Sequence, residues 1–336
     1  MSGVGLGAGV WGQSLAQNYM GDFMNGFLGA AQVTLSIDDP SKTLTVTPVG
    51  STFTIYSAGN KLTLAGTKSV AWTATEGLHF FYFNEAGTLV TTTTFTPEII
   101  TKYCYVALIY WSIPQNKAIY FGNERHGVLM GPSTHLYLHN TRGAQFDNGL
   151  KLVNFLVDGT GNDAANAQFT SESGVIWDED IRYSLPAQTQ FPVFYREGTV
   201  WKQKTPDAFP VIYNGTAGYT GTRMPYNLNT AGTWSLQEID SNKFALVHVL
   251  ATNDINYPVI CLLGVNQYIS KTAARDGAAV ELQSLSGLPF AEFAPLGSVI
   301  FETQNSYTNT PKARIVSIDS KDYFDLRATY FRPGAF

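Results

Sequence analysis

The sequence predicts an all-β protein, built mostly of antiparallel sandwich-like or barrel-like domains, with a short N-terminal helical or extended anchoring segment. Three observations lead to this prediction. Aromatic residues make up 13% of the 336 residues, with 18 Tyr and 21 Phe, and such residues fit pleated, half-buried surfaces. Apolar and polar residues alternate over many short stretches. Turn sequences rich in Gly, Asn, Asp and Pro separate these stretches.

Composition and charge limit the classes of function. Hydrophobic residues account for 44% of the chain and charged residues for only 14%, which is typical of a folded protein with a sizeable core. The formal net charge of −5 arises from 21 Lys and Arg against 26 Asp and Glu. Because binding to a phosphate backbone requires clustered basic residues, we expect no nucleic-acid partner.

The sequence also bears on export and on thiol chemistry. No apolar run approaches the roughly 18 residues that a membrane-spanning helix needs, and no basic segment of a signal peptide opens the chain. We therefore expect synthesis in the cytoplasm and no membrane insertion. Cys104 and Cys261 both lie inside apolar runs, which is typical of buried free thiols. A disulfide between them is the alternative.

Residues 1–31 form the predicted anchoring segment. Apolar residues recur at helical spacing from Leu15 to Leu28, which makes one apolar stripe. Interspersed glycines weaken such a helix by about 1 kcal/mol each relative to Ala, so it would need a partner surface. No Lys or Arg precedes Lys42, which favours docking onto another protein over a membrane surface. The predicted docking residues are Trp11, Tyr19, Phe23 and Phe27.

Residues 32–127 are predicted to form a first β domain and residues 191–336 a C-terminal β domain, with 128–190 as a connecting or inserted segment of few clear strands. The two domains share an order of strands and turns that suggests a duplicated β unit. In each, an aromatic strand, a Gly turn and a Thr-containing return strand precede a long apolar hairpin. A second helix is expected within residues 268–285.

Three of the five histidines lie close together in the chain. On a helix, His135 and His139 would share a face, as zinc sites require, but the Leu-Tyr-Leu between them alternates as a strand would. On a strand the two side chains would stand about 13 Å apart. We therefore expect these two histidines and His126 to be hydrogen-bonded in turns or at a subunit contact, and we predict no metal site and no cofactor.

Two acidic motifs resemble parts of known functional sites. DGTGND resembles half of a calcium loop from Asp158 onward, but Phe169 occupies the twelfth position, where a bidentate Glu is required. An Asx-rich turn is expected instead. In WDEDIR, Asp178 and Asp180 could face one side of a strand as a glycosidase pair, although a solvated loop or an ion pair with Arg182 is favoured. Nucleophile-elbow and phosphate-loop motifs do not occur, so we predict no catalytic residue and no enzyme activity.

Arginines beside Tyr, Gly or Pro recur along the chain. A guanidinium can tie several carbonyl groups or pair with a carboxylate across a contact. This chemistry favours a structural role for these arginines at contacts between β domains or between subunits. The arginines concerned are Arg125, Arg142, Arg223, Arg275, Arg314, Arg327 and Arg332.

Several stretches resemble a diffuse group of tailed-bacteriophage proteins described as tail fibre or virion structural proteins. They are YVALIYWSIPQNKAIYFGNERHG, THLYLHNTRG, FPVFYREG, LSGLPFAEF and TPKARI, and the resemblance covers roughly residues 75–327. It implies a trimeric or otherwise repeated β-rich component of a phage particle, without a transferable active site. The expected protein is a tail fibre or fibre adaptor that is assembled in the host cytoplasm, docks to other virion proteins through its N-terminus and forms a homotrimer.

Three alternatives remain open. A receptor-binding protein would stack host glycan on aromatic residues of the long loop 213–234, with Tyr213, Tyr219, Tyr226 and Trp234 as the candidate residues. A head-surface fibre or decoration protein would share most of the features of a tail fibre. A capsule depolymerase would use paired carboxylates in one groove.

Overall fold

The computed structural model describes residues 23–290 and 292–327. The predicted fold class is confirmed, because 48% of the chain is strand and 11% is helix, and the strands form several antiparallel sheets. Among the described residues, no helix has the length and apolar character needed to cross a membrane. The predicted docking residues Trp11 and Tyr19, and Arg332, lie outside the described residues.

The strands of the first part of the chain follow one another closely: β1 (Gly26–Phe27), β2 (Val33–Asp38), β3 (Thr43–Pro48), β4 (Thr52–Ser57), β5 (Asn60–Ala65), β6 (Lys68–Ala71), β7 (Gly77–Phe83), β8 (Leu89–Thr92), β9 (Cys104–Ser112) and β10 (Lys117–Asn123). The α-helices of the described residues are α1 (Glu98–Thr101), α2 (Pro132–Thr141) and α3 (Lys271–Gln283). Short 3-10 helices lie at Ala30–Gln32 and Ala164–Ala167.

The later strands include the longest ones: β11 (Gln145–Gly149), β12 (Leu152–Val153), β13 (Thr170–Ser171), β14 (Gly174–Asp178), β15 (Ile181–Leu185), β16 (Phe191–Glu197), β17 (Val200–Asp207), β18 (Pro225–Thr230), β19 (Thr233–Glu238), β20 (Lys243–Thr252), β21 (Val259–Tyr268), β22 (Phe293–Thr303), β23 (Ala313–Ile315) and β24 (Phe324–Asp325).

The described chain forms two compact units. Unit 1 contains the chain up to residue 73, with residues 80–107 and 124–139, and unit 2 contains residues 74–79, residues 108–123 and the chain from residue 140 onward. The chain changes unit inside β7, β9 and α2. These boundaries differ from the predicted division, since residues 140–190 belong to the same unit as the later strands.

Unit 1 contains two three-stranded antiparallel sheets, with the strand orders β2–β3–β6 and β1–β4–β5. Burial alternates along β3 and β4, where Leu44, Val46, Phe53 and Ile55 are each no more than 1% exposed. This is the period-two pattern of strands with one face on a core. The predicted run of short antiparallel strands from residue 32 onward is therefore confirmed.

Of the helical and extended alternatives predicted for the anchoring segment, residues 23–28 adopt the extended one. Gly26 has a φ of +103°, which other residues rarely adopt, and Gly26 and Phe27 pair with β4 as a strand. Phe27 is 0% exposed, and its ring lies 6.4 Å from that of Phe83. It therefore belongs to the core of unit 1 and is not available for docking, whereas Phe23 is 37% exposed.

Unit 2 is built on a seven-stranded sheet with the order β17–β16–β21–β20–β22–β23, and β24 also pairs with β22. Helix α3 packs on it through Ala274 and Ala278, which contact Leu246 and Ile300. The predicted helix within 268–285 is confirmed. Both cysteines are buried and free, which confirms the prediction of core thiols over a disulfide.

In both domains the aromatic strand and its return strand (β7–β8 and β16–β17) precede the long apolar hairpin (β9–β10 and β20–β21), as predicted for the duplicated unit, but the strand order differs. In the order β10–β9–β7–β8, strand β7 lies beside β9, the first strand of the long hairpin. In the larger sheet, β16 lies beside β21, the second strand of its hairpin, and the pairing is parallel. The predicted duplicated unit is therefore wrong at the level of strand order.

The expectation of few clear strands in residues 128–190 is also wrong, because this region contains α2 and β11 to β15. THLYLH lies in α2. The helix starts at Pro132, a residue favoured at the first helical position because it has no N–H to satisfy. His135 and His139 are the buried side chains of this helix after Pro132, whereas Tyr137 is 63% exposed. The alternating Leu-Tyr-Leu pattern predicted a strand because histidine was counted as polar.

Candidate functional site

A cleft in unit 2 brings an arginine and two tryptophans together. Its lining includes Arg196 from β16, Trp201 from β17 and Trp234 from β19, with the segment that follows α3. The turn between β16 and β17 uses Gly198 at a φ of +64°. The Gly198 N–H donates to the Trp234 carbonyl at 2.8 Å, and the Trp234 N–H donates back at 2.9 Å. This bridge places the indole of Trp234 beside the β16–β17 hairpin.

The guanidinium carbon of Arg196 lies over both indoles, 4.5 Å from the ring centroid of Trp201 and 5.1 Å from that of Trp234. Its Nη2 donates to the carbonyls of Ser286 at 2.7 Å and Gly287 at 2.6 Å. Trp201 Nε1 also donates to the Gly287 carbonyl at 2.6 Å. Burial lowers the pKa of Arg196. The cation–π contacts and the hydrogen bonds fix the arginine and hold the 286–287 turn over the hairpin.

The enclosed part of the cleft measures about 30 Å³, which is room for a water molecule. A sugar ring could not enter it and would have to lie across the mouth, against the half-buried face of Trp234. An indole beside a fixed cation and the Asn227 amide offers stacking and polar contacts at one place. The cleft is thus suited to a planar or ring-shaped polar ligand on its rim.

The structure separates the four residues predicted to bind glycan. Tyr219 and Tyr226 are each 8% exposed and belong to the core of unit 2, so the expectation that they are exposed is wrong. The Tyr219 hydroxyl donates to the Arg223 carbonyl at 2.7 Å. Tyr213 is half-buried, and burial followed by its hydrogen bond to Asp207 raises its pKa to about 12. Of the four residues, only Trp234 lines the cleft.

A second candidate site in unit 1 consists of three histidines and a glutamate. The ring centroids of His126 and His135 are 4.0 Å apart, and those of His135 and His139 are 6.2 Å apart. Glu124 Oε2 lies 3.5 Å from His126 Nε2. All four side chains are buried. Burial, followed by the neighbouring His126 and His139, holds the pKa of His135 well below its ordinary value.

The two acidic motifs have structural roles. Asp158 Oδ1 accepts from the Ser317 N–H at 3.2 Å, and Asp163 caps the 3-10 helix that follows it, so the expected Asx-rich turn is confirmed. Asp178 is 0% exposed, and its Oδ2 accepts from Asn253 Nδ2 at 2.9 Å. Asp180 occupies the turn between β14 and β15. The two aspartates therefore do not share a solvent-facing groove.

Four of the arginines named from the sequence bind backbone carbonyl groups within their own unit, whereas a role at contacts between domains or subunits stays a prediction. Each guanidinium donates to a backbone carbonyl at least 16 positions away in the sequence, and Arg223, Arg314 and Arg327 also pair with a carboxylate. The bonds run from Arg125 to Ala30, from Arg223 to Ile239, from Arg314 to Gly159 and from Arg327 to Gly149.

A chain of three buried, hydrogen-bonded polar side chains in unit 2 was not predicted from the sequence. His248 Nδ1 lies 2.8 Å from Ser298 Oγ, and its Nε2 lies 3.1 Å from Glu281 Oε2. The order of these side chains resembles a hydrolase triad. Their exposures are 0%, 1% and 2% for Ser298, His248 and Glu281, so no substrate carbonyl can reach the hydroxyl. The only sequence signal was the placement of single polar residues inside apolar strands.

We compared the chain with protein-family models, with curated proteins and with solved structures, and none of these comparisons gave a match. Within residues 23–290 and 292–327, the cleft around Arg196 and the histidine group around His135 are two candidate sites.

Proposed function

We propose that the chain is a non-enzymatic structural component of a bacteriophage virion, a tail fibre or fibre adaptor that docks to the particle through its N-terminal segment and assembles as a homotrimer. The resemblance over residues 75–327 supports this function. The observation that carries the proposal is the mostly β architecture, in which arginines such as Arg223 and Arg314 and a buried carboxyl group, that of Glu281, make structural bonds. Such an architecture suits a protein that bears load and contacts neighbours.

Immunogold labelling of purified particles tests the location. An antibody against residues 200–327 should place gold on the tail, and gold on the head would instead favour a head-surface fibre or decoration protein. Labelling of free protein alone would contradict both assignments. Light scattering should give a mass three times the 36.7 kDa of one chain, and a monomeric mass would contradict the trimer.

Docking can be tested with the remaining aromatic residues of the anchoring segment. A variant with Trp11→Ala and Tyr19→Ala should still assemble but be missing from particles. Phe324→Ala, which removes an aromatic side chain that is 38% exposed, provides the control and should be incorporated normally. Equal incorporation of both variants would argue against this docking mode.

A second candidate function, binding of host glycan, is favoured by the cleft around Arg196. The half-buried indole of Trp234 beside a fixed guanidinium offers a stacking surface with polar contacts. On a glycan array, Trp234→Ala should lose a signal that the wild type gives. The matched control is Trp177→Ala, which removes another partly exposed indole (37%). Binding that survives Trp234→Ala would exclude the cleft as the glycan site.

A further inference from the structure

Another cavity in unit 2 opens beside the end of β17. It measures about 410 Å³, which is within the range of roughly 300–1,000 Å³ that is usual for small-molecule sites. The lining residues come from the β9–β10 turn, from β17 and from the loop that follows β17: Gln115, Gln203, Lys204, Thr205, Pro206, Asp207, Thr216 and Ala217. The cleft around Arg196 is lined by other residues, so the two are separate sites.

A pair of glutamines is held on the edge of the seven-stranded sheet, where β17 is the outermost strand. Gln115 Nε2 donates to the Gln203 carbonyl at 2.7 Å, and the Gln203 N–H donates to Gln115 Oε1 at 2.8 Å. The Gln115 amide thus pairs with β17 as a neighbouring strand would. An amide nitrogen has two hydrogens, so Gln115, which is partly exposed, keeps a second N–H for a ligand.

A fixed carboxylate also lines the cavity. Asp207 Oδ1 accepts from Lys204 Nζ at 2.5 Å and from the Phe209 N–H at 2.8 Å. Asp207 Oδ2 accepts from the Tyr213 hydroxyl at 2.8 Å. Because a carboxylate offers about four lone-pair positions, Oδ2 can accept from one further donor. The Asp207 side chain is 31% exposed and that of Lys204 only 3%, so a ligand meets the carboxylate rather than the ammonium group.

The charges of the lining are balanced. Lys204 and Asp207 form an ion pair, and Lys204 Nζ also donates to the Phe209 carbonyl at 2.8 Å. The same ammonium lies 5.2 Å from the ring centroid of Tyr213. The ammonium is therefore engaged within the protein and is not needed by an anion. A ligand without net charge suits these surroundings, because it leaves the ion pair undisturbed.

The walls of the cavity are small and fixed before a ligand arrives. Pro206 and Ala217 are partly exposed apolar residues. The turn that carries Ala217 is closed by bonds from the Gly215 N–H to the Tyr219 carbonyl at 2.9 Å and from the Thr216 N–H to the Tyr213 carbonyl at 3.0 Å. Such a preformed site loses little conformational entropy on binding.

The chemistry of the lining matches a sugar. A hydroxyl group both donates and accepts hydrogen bonds, so neighbouring hydroxyls of one ring can use the Asp207 acceptor and the Gln115 donor together. The C–H groups of the ring can contact Pro206 and Ala217. We propose that this cavity binds an uncharged sugar unit through Asp207 and Gln115. Binding here requires neither the cleft around Arg196 nor a place in a virion.

A glycan array that presents neutral, acidic and amino sugars tests the site. Wild type should bind neutral glycans in preference to charged ones. Asp207→Asn and Gln115→Met should each weaken the strongest neutral signal at least about fivefold, since each removes a hydrogen bond to the ligand. Gln237→Met, which changes an exposed glutamine outside the cavity, should bind like the wild type, and so should Trp234→Ala.

Three results would overturn the proposal. They are a wild type that binds no neutral glycan, a preference for charged glycans, and Asp207→Asn and Gln115→Met variants that bind like the wild type. A neutral signal that is lost in Trp234→Ala and kept in Asp207→Asn would also overturn it, because binding would then occur at the cleft around Arg196.

Hydrogen–deuterium exchange of the wild type covers the case in which a variant fails to fold. With a saturating concentration of the neutral glycan that gives the strongest array signal, backbone amides of residues 203–217 should exchange more slowly. Unchanged exchange in residues 203–217 would exclude the cavity. Protection confined to residues 227–234 and 284–287 would instead show binding at the cleft around Arg196.

Discussion

The Nε2 atom of His248 lies 3.1 Å from Oε2 of Glu281, and both side chains are buried. His248 belongs to β20 and Glu281 to α3. The same carboxylate accepts from the Tyr268 hydroxyl at 2.7 Å and from the Val265 N–H at 2.9 Å. With its proton on Nε2, the imidazole donates to Glu281 and accepts from Ser298. One carboxylate therefore ties the helix to the sheet of unit 2.

Glu281→Ala should destabilise the protein strongly. The change leaves the buried His248 imidazole and the part-buried Tyr268 hydroxyl and Val265 N–H without their acceptor, and breaking a buried pair in this way costs about 3 kcal/mol or more. Urea unfolding should report this decrease in the free energy of unfolding. Val280→Ala, at a neighbouring position that is 66% exposed, should change it by less than about 0.5 kcal/mol. Equal effects of the two variants would contradict the assigned role of Glu281.

Gly277→Ala should destabilise the protein, although alanine normally stabilises a helix by about 1 kcal/mol relative to glycine. A Cβ at this position would lie 2.2 Å from the Tyr268 hydroxyl oxygen and 2.5 Å from Cζ. The tyrosine must then move and lose its bond to Glu281, at an expected cost of about 1–3 kcal/mol. Thermal unfolding measures the sign of the change.

A double-mutant cycle isolates the steric cause. In a Tyr268→Ala background, Gly277→Ala should cost little, because the clashing ring is gone. If Gly277→Ala lowers the melting temperature equally in both backgrounds, the contact with Tyr268 is not the reason.

Asp254 should make stability depend on pH. Burial raises its pKa to about 6, against the lowering effect of hydrogen bonds from the Tyr257, Phe121 and Asn256 N–H groups. The folded state therefore holds this proton more tightly than the unfolded state. Its stabilising effect is present below pH 4 and is lost as pH rises through about 6. Between pH 4.5 and 7, the wild type should lose about 2 kcal/mol relative to Asp254→Asn.

Urea unfolding of both proteins at the two pH values checks this prediction. Ile255→Ala, which alters a residue that is 40% exposed and carries no titratable group, should show the same difference from wild type at both pH values. A difference between wild type and Asp254→Asn that does not vary with pH would rule out Asp254 as the titrating group.

The strands could be predicted because period-two alternation is a local property. Leu44 and Val46 in β3 and Phe53 and Ile55 in β4 are buried as the alternation requires, and turn residues marked the ends of these strands. Strand order could not be predicted in the same way. The parallel pairing of Val193 with Cys261 depends on long-range packing that no local pattern records.

The candidate sites were harder to predict, since their residues are buried. The histidines of α2 occupy the inward face of a helix, where a hydrophobic pattern does not count them. Tyr219 and Tyr226 lie in a Gly-rich stretch that resembles a surface loop, yet they are buried in the core of unit 2. In the sequence, Phe27 continues an apolar stripe with helical spacing. In the structure it lies in a strand that begins at Gly26, whose φ is positive. In each case tertiary packing overrode the local signal.

Arg223→Lys should destabilise the protein even though it preserves the charge. Arg223 Nε donates to the Ile239 carbonyl at 2.7 Å, Nη1 donates to Asn305, and Nη2 lies 3.2 Å from Glu238 Oε1. A lysine ammonium cannot reach three acceptors in this planar arrangement, so we expect a loss of about 1–2 kcal/mol in the free energy of unfolding.

The control is Arg182→Lys, because this exposed arginine donates to the Ser184 hydroxyl within its own strand. Its replacement should change the free energy of unfolding by less than about 0.5 kcal/mol. A conservative change that is harmful at Arg223 and harmless at Arg182 would show that geometry, rather than charge, determines the role of Arg223. If both substitutions leave the free energy of unfolding unchanged, the hydrogen bonds from arginines to backbone carbonyls contribute little to stability.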